Sequence, residues 1–289
     1  MIAQVKAIAC ELPATRGLPL SRFSCREIAR EVERTGLVAT ISDKTVWRWL
    51  HEDALRPWQH RCWIFPRDPD FAVKAGRILD LYARQWNGTR LGRNDFVLST
   101  DEKTSIQARR RIHPTIPPGP GRPMRVEHEY ERGGALAYLA ALDVHRVRLF
   151  GCCEKSTGIV PFEKLVARVM SQSPYNTARR VFWIMDNGSS HRGARCVRRL
   201  RAAFPNLIPV HGPVHASWLN QIEIYFSIIQ RKVLTPNDFS SLAEVEDRLL
   251  RFQEHYEQIA HPFEWKFTRA DLNALLHRLH ETEPALKAA

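Results

Sequence analysis

Three carboxylates in this sequence stand at the ends of apolar segments. Asp101 follows the run 95–100, Asp186 ends the run 179–186, and Glu223 lies in an apolar segment of helical period. If the two runs are neighbouring strands, their C-terminal ends bring the two aspartates side by side, and a helix across that edge delivers the glutamate. Three converging carboxylates repel one another, and the natural relief is a hard divalent cation, Mg²⁺ or Mn²⁺. Two such ions, roughly 4 Å apart, promote in-line displacement at phosphorus, so the three residues are predicted to be catalytic and to bind metal.

Each of these residues also has an ordinary structural interpretation. Aspartate is common in turns, Asp186-Asn187-Gly188 is itself a good turn sequence, and a glutamate on the surface of an amphipathic helix is expected. None of the three is informative alone. The prediction therefore depends on their conjunction at the edges of predicted elements, with thirty-six residues between Asp186 and Glu223.

The segments around these residues alternate between strand and helix periods. Short apolar runs indicate strands, and apolar residues at every third or fourth position indicate helices. The predicted strands are 95–100, 135–145, 147–153, 179–186 and 207–212, and the predicted helices are 161–170, 193–204 and 215–233. The order β-β-β-α-β-α-β-α predicts an α/β fold, a mixed five-stranded sheet flanked by helices, of the ribonuclease H-like type.

A small helical region precedes the sheet. Ser24 and Glu27 form a Ser-x-x-Glu capping box, Gly36 is a natural helix end, and Ser42 begins a second capped segment. Two short helices in this order predict a helix-turn-helix that binds DNA, and a plain helical hairpin with solvated basic residues is the alternative. In the second helix the predicted apolar stripe is Val46, Trp47 and Leu50, and the predicted DNA contacts are Lys44, Thr45 and Arg48.

The remaining boundaries follow from caps and composition. The segment 70–86 is predicted to be one helix ended by Asn87-Gly88, and the chain finishes with helix 240–258 and a helix capped by Thr268 and Asp271. The predicted regions are 1–68 (helix-turn-helix), 69–94 (linker helix), 95–235 (catalytic domain) and 236–289 (helices packed on the core).

The composition favours a polyanionic partner. Lys and Arg total 43 against 31 Asp and Glu, a net charge of +12, and 44% of the 289 residues are hydrophobic, enough for a sizeable core. No apolar run reaches the roughly 20 residues that span a bilayer, and the first residues lack a secretory signal pattern, so we expect a cytoplasmic protein without a membrane partner. Its six cysteines form no CxxC pair and are expected to be reduced thiols.

A basic segment, 108–125, lies between the first two predicted strands. Arginines among prolines and glycines suit phosphate contacts by an extended loop, and a flexible solvated loop is the alternative. The predicted DNA-binding residues in this segment are Arg109, Arg110, Arg111 and Arg122, with Arg125 beside them.

Three motifs in this sequence resemble the acidic motifs of bacterial insertion-sequence transposases of the mariner-like superfamily. The motifs are STDEKT, MDNGSSH and HASWLNQIEIYFSIIQRK, and the phrase VWRWLHEDALRPWQHRCWIFPRDPDF resembles the region before the catalytic core of that family. The resemblance covers roughly residues 40–280, and Leu-Asn-x-Ile-Glu at the start of a helix is its most specific part. The sequence departs at Gln221, where the family often has proline.

The resemblance implies a DDE enzyme with Asp101, Asp186 and Glu223 as its metal-binding triad, using two Mg²⁺ or Mn²⁺ ions. It also implies that Lys103, Asn187 and His191 lie near the scissile phosphate. Water would cut a phosphodiester at the element end, and the released 3′-hydroxyl would attack target DNA at a TA dinucleotide. The implied partners are double-stranded DNA with terminal inverted repeats and a second copy of the chain, at the nucleoid of a bacterial cell.

Two other interpretations remain open at this point. Family members usually carry two helix-turn-helix units and the sequence indicates one, so the chain is alternatively a truncated or inactive DNA-binding derivative. A further alternative is another ribonuclease H-like nuclease, although such nucleases generally lack a preceding helix-turn-helix and the LNQIE motif.

Overall fold

The structure is a computed structural model that describes residues 1–60, 66–188 and 194–287. The chain divides into two compact units, Met1–Ile64 and Phe65–Ala289. Each unit has a hydrophobic core of its own, so each is described separately.

Three short helices form the smaller unit. They are α1 (Ile2–Ala9), α2 (Cys25–Arg34) and α3 (Asp43–Glu52), with a 3-10 turn at Pro13–Arg16. The predicted capping box is confirmed: Glu27 N donates to Ser24 Oγ at 3.3 Å, and Ser24 N donates to Glu27 Oε2 at 2.6 Å. Gly36 follows the end of α2 with a φ of 73°, a conformation that glycine adopts without a steric penalty.

The apolar stripe of α3 is partly different from the prediction. Ser42 caps the helix as expected, and Val46 and Leu50 are fully buried. Trp47, however, is 49% exposed, and Trp49 packs on the core in its place. The reason is the helical period, because positions three and four apart share a face whereas Val46 and Trp47 point about 100° apart.

The larger unit contains the predicted sheet. Its helices are α4 (Phe71–Tyr82), α5 (Ile159–Met170), α6 (Ala194–Ala203), α7 (Ile222–Lys232), α8 (Leu242–Ile259) and α9 (Arg269–Lys287). Its strands are β1 (Gln85–Trp86), β2 (Thr89–Arg90), β3 (Asp95–Arg110), β4 (Glu131–Asp143), β5 (Arg148–Glu154), β6 (Arg180–Met185) and β7 (Leu207–His211).

Five of these strands form one mixed sheet in the order β5-β4-β3-β6-β7. The pairs β3–β4 and β4–β5 are antiparallel, and the pairs β3–β6 and β6–β7 are parallel. Helices α5 and α6 cover one face with Leu98, Trp183 and their neighbours, and α7 and α8 cover the other. The predicted α/β fold, a mixed five-stranded sheet flanked by helices, is therefore confirmed.

Strand β3 is much longer than predicted. The sequence suggested an end at Asp101, but β3 continues to Arg110 as a two-stranded ribbon with β4. Its parallel pairing with β6 stops at Ser99↔Ile184, which is where the apolar run ends. Beyond that point β3 is an edge strand of the ribbon and needs no apolar residues on both faces.

The predicted helix 70–86 is also shorter. Helix α4 ends at Tyr82, and Arg84 has a φ of 57°. Asn87 and Gly88, with φ values of 49° and 74°, form the turn of a hairpin between β1 and β2 instead of a helix end. An Asn-Gly pair is the favoured two-residue hairpin turn because both positions need a positive φ.

The end of the chain agrees with its predicted caps. Ser241 caps α8, and Thr268 and Asp271 bond reciprocally at the start of α9, with Thr268 N donating to Asp271 Oδ2 at 2.7 Å. Helix α8 packs on the sheet, and α9 packs against α4. Within the described residues, no helix combines the length and apolar character needed to cross a bilayer.

Candidate active site

Asp101 and Asp186 lie level with each other on neighbouring strands. The last parallel pair of β3 and β6 is Ser99↔Ile184, so two residues further along the chain the register brings the two aspartates side by side. Asp101 is buried in β3 with 8% exposure, and Asp186 is half-buried directly after β6. Backbone amides hold both carboxylates: Glu102 N donates to Asp101 Oδ1 at 2.8 Å, and Gly188 N donates to Asp186 Oδ1 at 2.7 Å.

Glu223 reaches this edge from the first turn of α7. The sequence predicted a helix from position 215, but α7 begins at Ile222 after a 3-10 turn at Ser217–Leu219. The helix starts late because Asn220 has an extended backbone, with φ −88° and ψ 111°, which directs its side chain to β3. The glutamate therefore lies one residue into α7, half-buried.

Asn220 and Ser99 fasten the start of α7 to β3. Ser99 Oγ donates to Asn220 Oδ1 and accepts a bond from Ile222 N at 2.8 Å. Asn220 Nδ2 donates to Thr100 O at 2.9 Å and lies 3.4 Å from Asp101 Oδ2. Ser99, Thr100 and Asn220 are all buried, and a buried polar group is costly unless it is paired, so this network fixes the helix on the strand.

Tyr82 of α4 holds the same turn from its other side. Its hydroxyl donates to Leu219 O at 2.7 Å and accepts from Gln221 N at 3.2 Å. Burial raises the pKa of Tyr82 well above its ordinary value, so the phenol stays protonated and able to donate. Helix α7 thus begins at a point fixed by both β3 and α4, and that point sets the position of Glu223.

The three carboxylates act on one another electrostatically. Burial, followed by the charges of Asp186 and Glu223, raises the pKa of Asp101 from 3.8 to about 7. Burial also raises the pKa of Glu223; the positive charge of Lys103 opposes this increase and the charge of Asp186 adds to it. The structure therefore brings Asp101, Asp186 and Glu223 close enough together for their charges to act on one another.

This donor set suits a hard divalent cation. Carboxylate oxygens are the preferred ligands of Mg²⁺ and Mn²⁺, and a cation would offset the charge that raises the pKa of Asp101. Among the described residues, no three His, Cys, Asp or Glu side chains are gathered at ligand distance.

The other residues predicted near this site have different positions. Lys103 lies two residues beyond Asp101 on β3 and close enough to Glu223 to affect its pKa. Asn187 Nδ2 donates to Gly212 O at 2.7 Å, which ties the end of β6 to the end of β7. His191 lies outside the described residues.

The predicted DNA-binding arginines of the insert are mostly engaged within the protein. Arg111 donates to the backbone carbonyls of Glu127, His128, Glu129 and Asn237, and Arg110 pairs with Glu131. Arg109 lies over the ring of Tyr130, 4.6 Å from its centroid. Arg122 is exposed, and the segment around it is a hydrogen-bonded hairpin with bridges Ile116↔Arg125 and Gly119↔Arg122.

The predicted contacts on α3 lie on the exposed side of the smaller unit. Lys44 and Arg48 are exposed, whereas Thr45 is half-buried and its hydroxyl bonds to Ser42 Oγ at 2.9 Å. The exposed Trp47 stacks on His51 with ring centroids 4.8 Å apart. The outward face of α3 is therefore basic and aromatic, and Thr45 belongs to the helix cap.

The sequence reasoning missed the positioning residues. Ser99 and Tyr82 carry no signal that separates them from ordinary strand and helix residues. Asn220 carries one, because a polar residue between Leu219 and Ile222, both buried, is typical of a satisfied internal hydrogen bond. That signal indicates an internal bond, although it does not identify the partner.

The fold and the site together define a class: a ribonuclease H-like α/β unit in which three carboxylates from two strand positions and one helix meet at one sheet edge. The family model of the DDE superfamily endonucleases matches residues 97–246, just over half of the chain and the span that contains all three carboxylates. The chain belongs to the DDE superfamily of endonucleases.

Solved structures support the fold assignment. The chain matches the Mos1 mariner paired end complex with Mn at a TM-score of 0.55 and 14% identity, over 97% of this chain and 77% of that one. It matches the Mos1 strand transfer complex at 0.54 and 14%, over 97% and 76%, and the paired end complex with Mg at 0.52 and 13%, over 99% and 78%. At these identities the similarity shows a shared fold. No curated protein matches the chain.

Proposed function

We propose that this chain is a DNA transposase that cuts the ends of a mobile element and joins the released 3′-hydroxyl to target DNA. The observation that carries the proposal is geometric: the register of β3 and β6 places Asp101 and Asp186 level, and the start of α7, which carries Glu223, is bonded to β3 beside Asp101. Membership of the DDE endonuclease superfamily and the fold shared with Mos1 support it. The proposed setting is a bacterial insertion sequence.

The same three carboxylates are the proposed ligands of two Mg²⁺ or Mn²⁺ ions. When bound, such ions supply charge stabilisation to the oxygens that attack and leave phosphorus. Structures of Mos1 contain Mn or Mg, which is consistent with this proposal. Its support in this chain is the donor set and the register that places Asp101 and Asp186 level on adjacent strands.

The reaction is two displacements at phosphorus. In the first, water adds to a phosphodiester at the element end, the P–O3′ bond breaks, and the products are a 3′-hydroxyl and a 5′-phosphate. In the second, that hydroxyl adds to a target phosphodiester and releases the target's own 3′-hydroxyl. One phosphodiester forms as one breaks, so no nucleotide energy is required.

The residues around the carboxylates have defined tasks in this proposal. The network of Ser99, Asn220 and Tyr82 holds Glu223 at a fixed position relative to Asp101. Lys103, whose positive charge opposes the increase in the pKa of Glu223, lies where that charge would attract a phosphate oxygen. Preorganised charge of this kind is the largest contribution that a protein makes to phosphoryl transfer.

Element ends are proposed to bind the smaller unit. Helices α2 and α3 would form a helix-turn-helix, with the exposed Lys44 and Arg48 directed at duplex DNA. The net charge of +12 suits a partner with a dense phosphate backbone. Because both element ends must be cut in one assembly, we propose a homodimer on DNA, with TA as the target dinucleotide.

The test is a nicking assay with the full chain, Mg²⁺ or Mn²⁺, and a duplex that carries the terminal inverted repeat flanking the gene. We expect metal-dependent nicking at the repeat boundary that Asp186→Asn abolishes. The matched control is Asp247→Asn, an equal charge change on the exposed side of α8, which should nick as the wild type does. Equal cleavage by the Asp186→Asn variant contradicts the proposal.

Two further substrates separate the alternative functions. Binding of the inverted repeat without nicking in either metal would identify an inactive DNA-binding derivative. Preferential cleavage of an RNA–DNA hybrid or a four-way junction would identify another ribonuclease H-like nuclease. The family match at residues 97–246 is shared by the first alternative and does not favour the second.

A further inference from the structure

A cleft opens beside the carboxylates, between the ribbon end of β3 and the C-terminal half of α7. Its volume is about 580 Å³, and we name it the β3–α7 cleft. One wall is β3 from Lys103 to Arg109, and the other contains Gln230 of α7 and the segment that follows it to Asn237. Tyr130 closes the cleft where the chain returns to β4.

A bulge in β3 changes which residues of the strand face helices α7 and α8. The pairing of β3 with β4 shifts between Lys103 and Ile106, where Ser105 has a φ of 58°. A shift of one position reverses which face a side chain points to, so Ile106 and Ala108 join the core under α7 and α8. Without the bulge these two residues would lie on the opposite face from Asp101.

The cleft lies next to the three-carboxylate edge. Lys103 lines it and lies two residues from Asp101, about 7 Å along a strand. Gln230 lies seven residues, or two helical turns, from Glu223 on the same side of α7, about 10 Å along a helix. A polymeric ligand that runs past the carboxylates along β3 or α7 therefore reaches the cleft within about 10 Å.

The cleft presents positive charge that the described part of the chain leaves unpaired. Arg109 Nε is buried and has no hydrogen-bond partner among the described residues. Its guanidinium lies 4.6 Å from the centroid of the Tyr130 ring, and that of Arg111 lies 4.9 Å from the same centroid. Lys103 also lines the cleft, and its charge acts on Glu223 at the carboxylate edge. Glu127, the acidic residue of the lining, accepts hydrogen bonds from the backbone amides of Ile112 and His113, at 2.9 Å each. The remaining charge is complementary to an anion.

We propose that the β3–α7 cleft binds a single strand of nucleic acid, with Arg109 contacting a phosphate and its stack on Tyr130 supporting a base. A volume of about 580 Å³ lies in the range of small-ligand pockets and fits one or two nucleotides. Guanidinium groups and aromatic rings bind unpaired bases without regard to sequence. The proposal rests on the proposed function, because it takes the strand at the carboxylates to be DNA.

The test uses the full chain in EDTA, so that it does not depend on catalysis. The probe is a fluorescein-labelled oligothymidylate of about eight nucleotides, and its anisotropy gives the dissociation constant across a range of KCl concentrations. Arg109→Gln removes the charge, and Arg109→Lys keeps the charge but loses the stack. The matched control is Arg251→Gln, which removes an exposed charge from α8.

We expect Arg109→Gln to weaken binding about tenfold and to lower the slope of log K against log salt by about 0.7, the effect of one lost phosphate contact on a single strand. Arg109→Lys should keep the slope and bind several-fold more weakly, and Arg251→Gln should match the wild type. A 5-iodouracil version of the probe should photocrosslink to the peptide that contains Tyr130.

Equal binding by the Arg109→Gln and Arg251→Gln variants, or crosslinks only to other peptides, would overturn the proposal. The proposal would also be overturned if Arg109→Lys lost as much binding as Arg109→Gln and both variants had a lower unfolding midpoint. Arg109 would then only support the position of Tyr130. The nicking assay is independent of these binding measurements. A wild type that nicks but shows no Arg109 effect refutes the cleft alone, and one that shows the effect without nicking refutes the proposed function alone.

Discussion

Replacing Asp101 by asparagine should make the metal-free protein more stable. Asp101 is 8% exposed, and the nearby charges of Asp186 and Glu223 add to the cost of its burial. The Asp101→Asn variant removes the charge and keeps an oxygen that can accept the bond from Glu102 N. A gain in stability from the loss of a native side chain is the mark of a site arranged for a ligand rather than for folding.

The size of the gain follows from the pKa. A carboxyl whose pKa is raised from 3.8 to about 7 loses about 4 kcal/mol of folding free energy when fully ionised, at roughly 1.4 kcal/mol per pKa unit. Below the unfolded value the group is neutral in both states, so there is no cost. The cost grows as the pH rises toward the folded value and is complete above it. Because the asparagine loses a weak contact with Asn220, we expect a gain of about 2–4 kcal/mol.

Urea unfolding of the full chain in EDTA measures this gain. Near pH 8 the midpoint of the larger unit should rise by about 1–2 M for the variant, and near pH 4 the two proteins should differ little. Millimolar Mn²⁺ should then stabilise the wild type and leave the variant nearly unchanged. A variant no more stable than the wild type near pH 8 would refute the claim that burial and the neighbouring carboxylates oppose the ionisation of Asp101.

Other substitutions test separate parts of the structure. Asp95 is 3% exposed and accepts two hydrogen bonds from Arg180, which lower its pKa. Asp95→Asn should therefore lower the free energy of unfolding by about 3 kcal/mol at neutral pH. The difference from the wild type should disappear as the pH falls below 3.8, the ordinary pKa of the carboxyl, because acid then protonates Asp95 in the wild type as well. Asn220→Ala should lower kcat for nicking at least about tenfold with little change in KM, and lower the unfolding free energy by about 1–3 kcal/mol; unchanged kcat would show that the network does not position Glu223. Arg48→Ala should reduce the salt slope of duplex binding by about 0.9 and leave Mn²⁺ binding intact, and loss of both would indicate misfolding.

The sequence was sufficient to predict the sheet and the edge at which the carboxylates meet. Apolar runs of strand period ended at Asp101 and Asp186, and the register Ser99↔Ile184 places those positions level. The pattern of hydrophobic residues carries this information because buried parallel strands are apolar on both faces. The capping box at Ser24 was predictable for a similar reason, since its bonds are local.

Features that depend on distant partners were not predictable. The extension of β3 to Arg110 depends on pairing with β4, and the late start of α7 depends on the bond between Ser99 and Asn220. The role of Asn87-Gly88 changed from a helix end to a hairpin turn because β1 and β2 pair across it. In each case a contact made elsewhere in the chain overrides a local preference.

The partners of the arginines in the segment 108–125 were likewise not predictable from the sequence. The composition of 108–125 indicated phosphate contacts, yet Arg111 bonds to four backbone carbonyls and Arg110 pairs with Glu131. An arginine has the same sequence signature whether its partner is a carbonyl or a phosphate. Only the structure separates these two arginines from Arg109, whose Nε has no partner in the part of the chain that is described.

Metal-specific rescue of cysteine variants tests the central claim most directly. Asp101→Cys and Glu223→Cys each replace a hard oxygen ligand by a softer thiolate, which binds Mn²⁺ better than Mg²⁺. We predict that both variants fail to nick DNA in Mg²⁺ and recover part of their activity in Mn²⁺, while Asp247→Cys on α8 nicks in both metals. Equal activity of both variants and the control in Mg²⁺, or losses that are the same in the two metals, would contradict the assignment of these carboxylates as ligands.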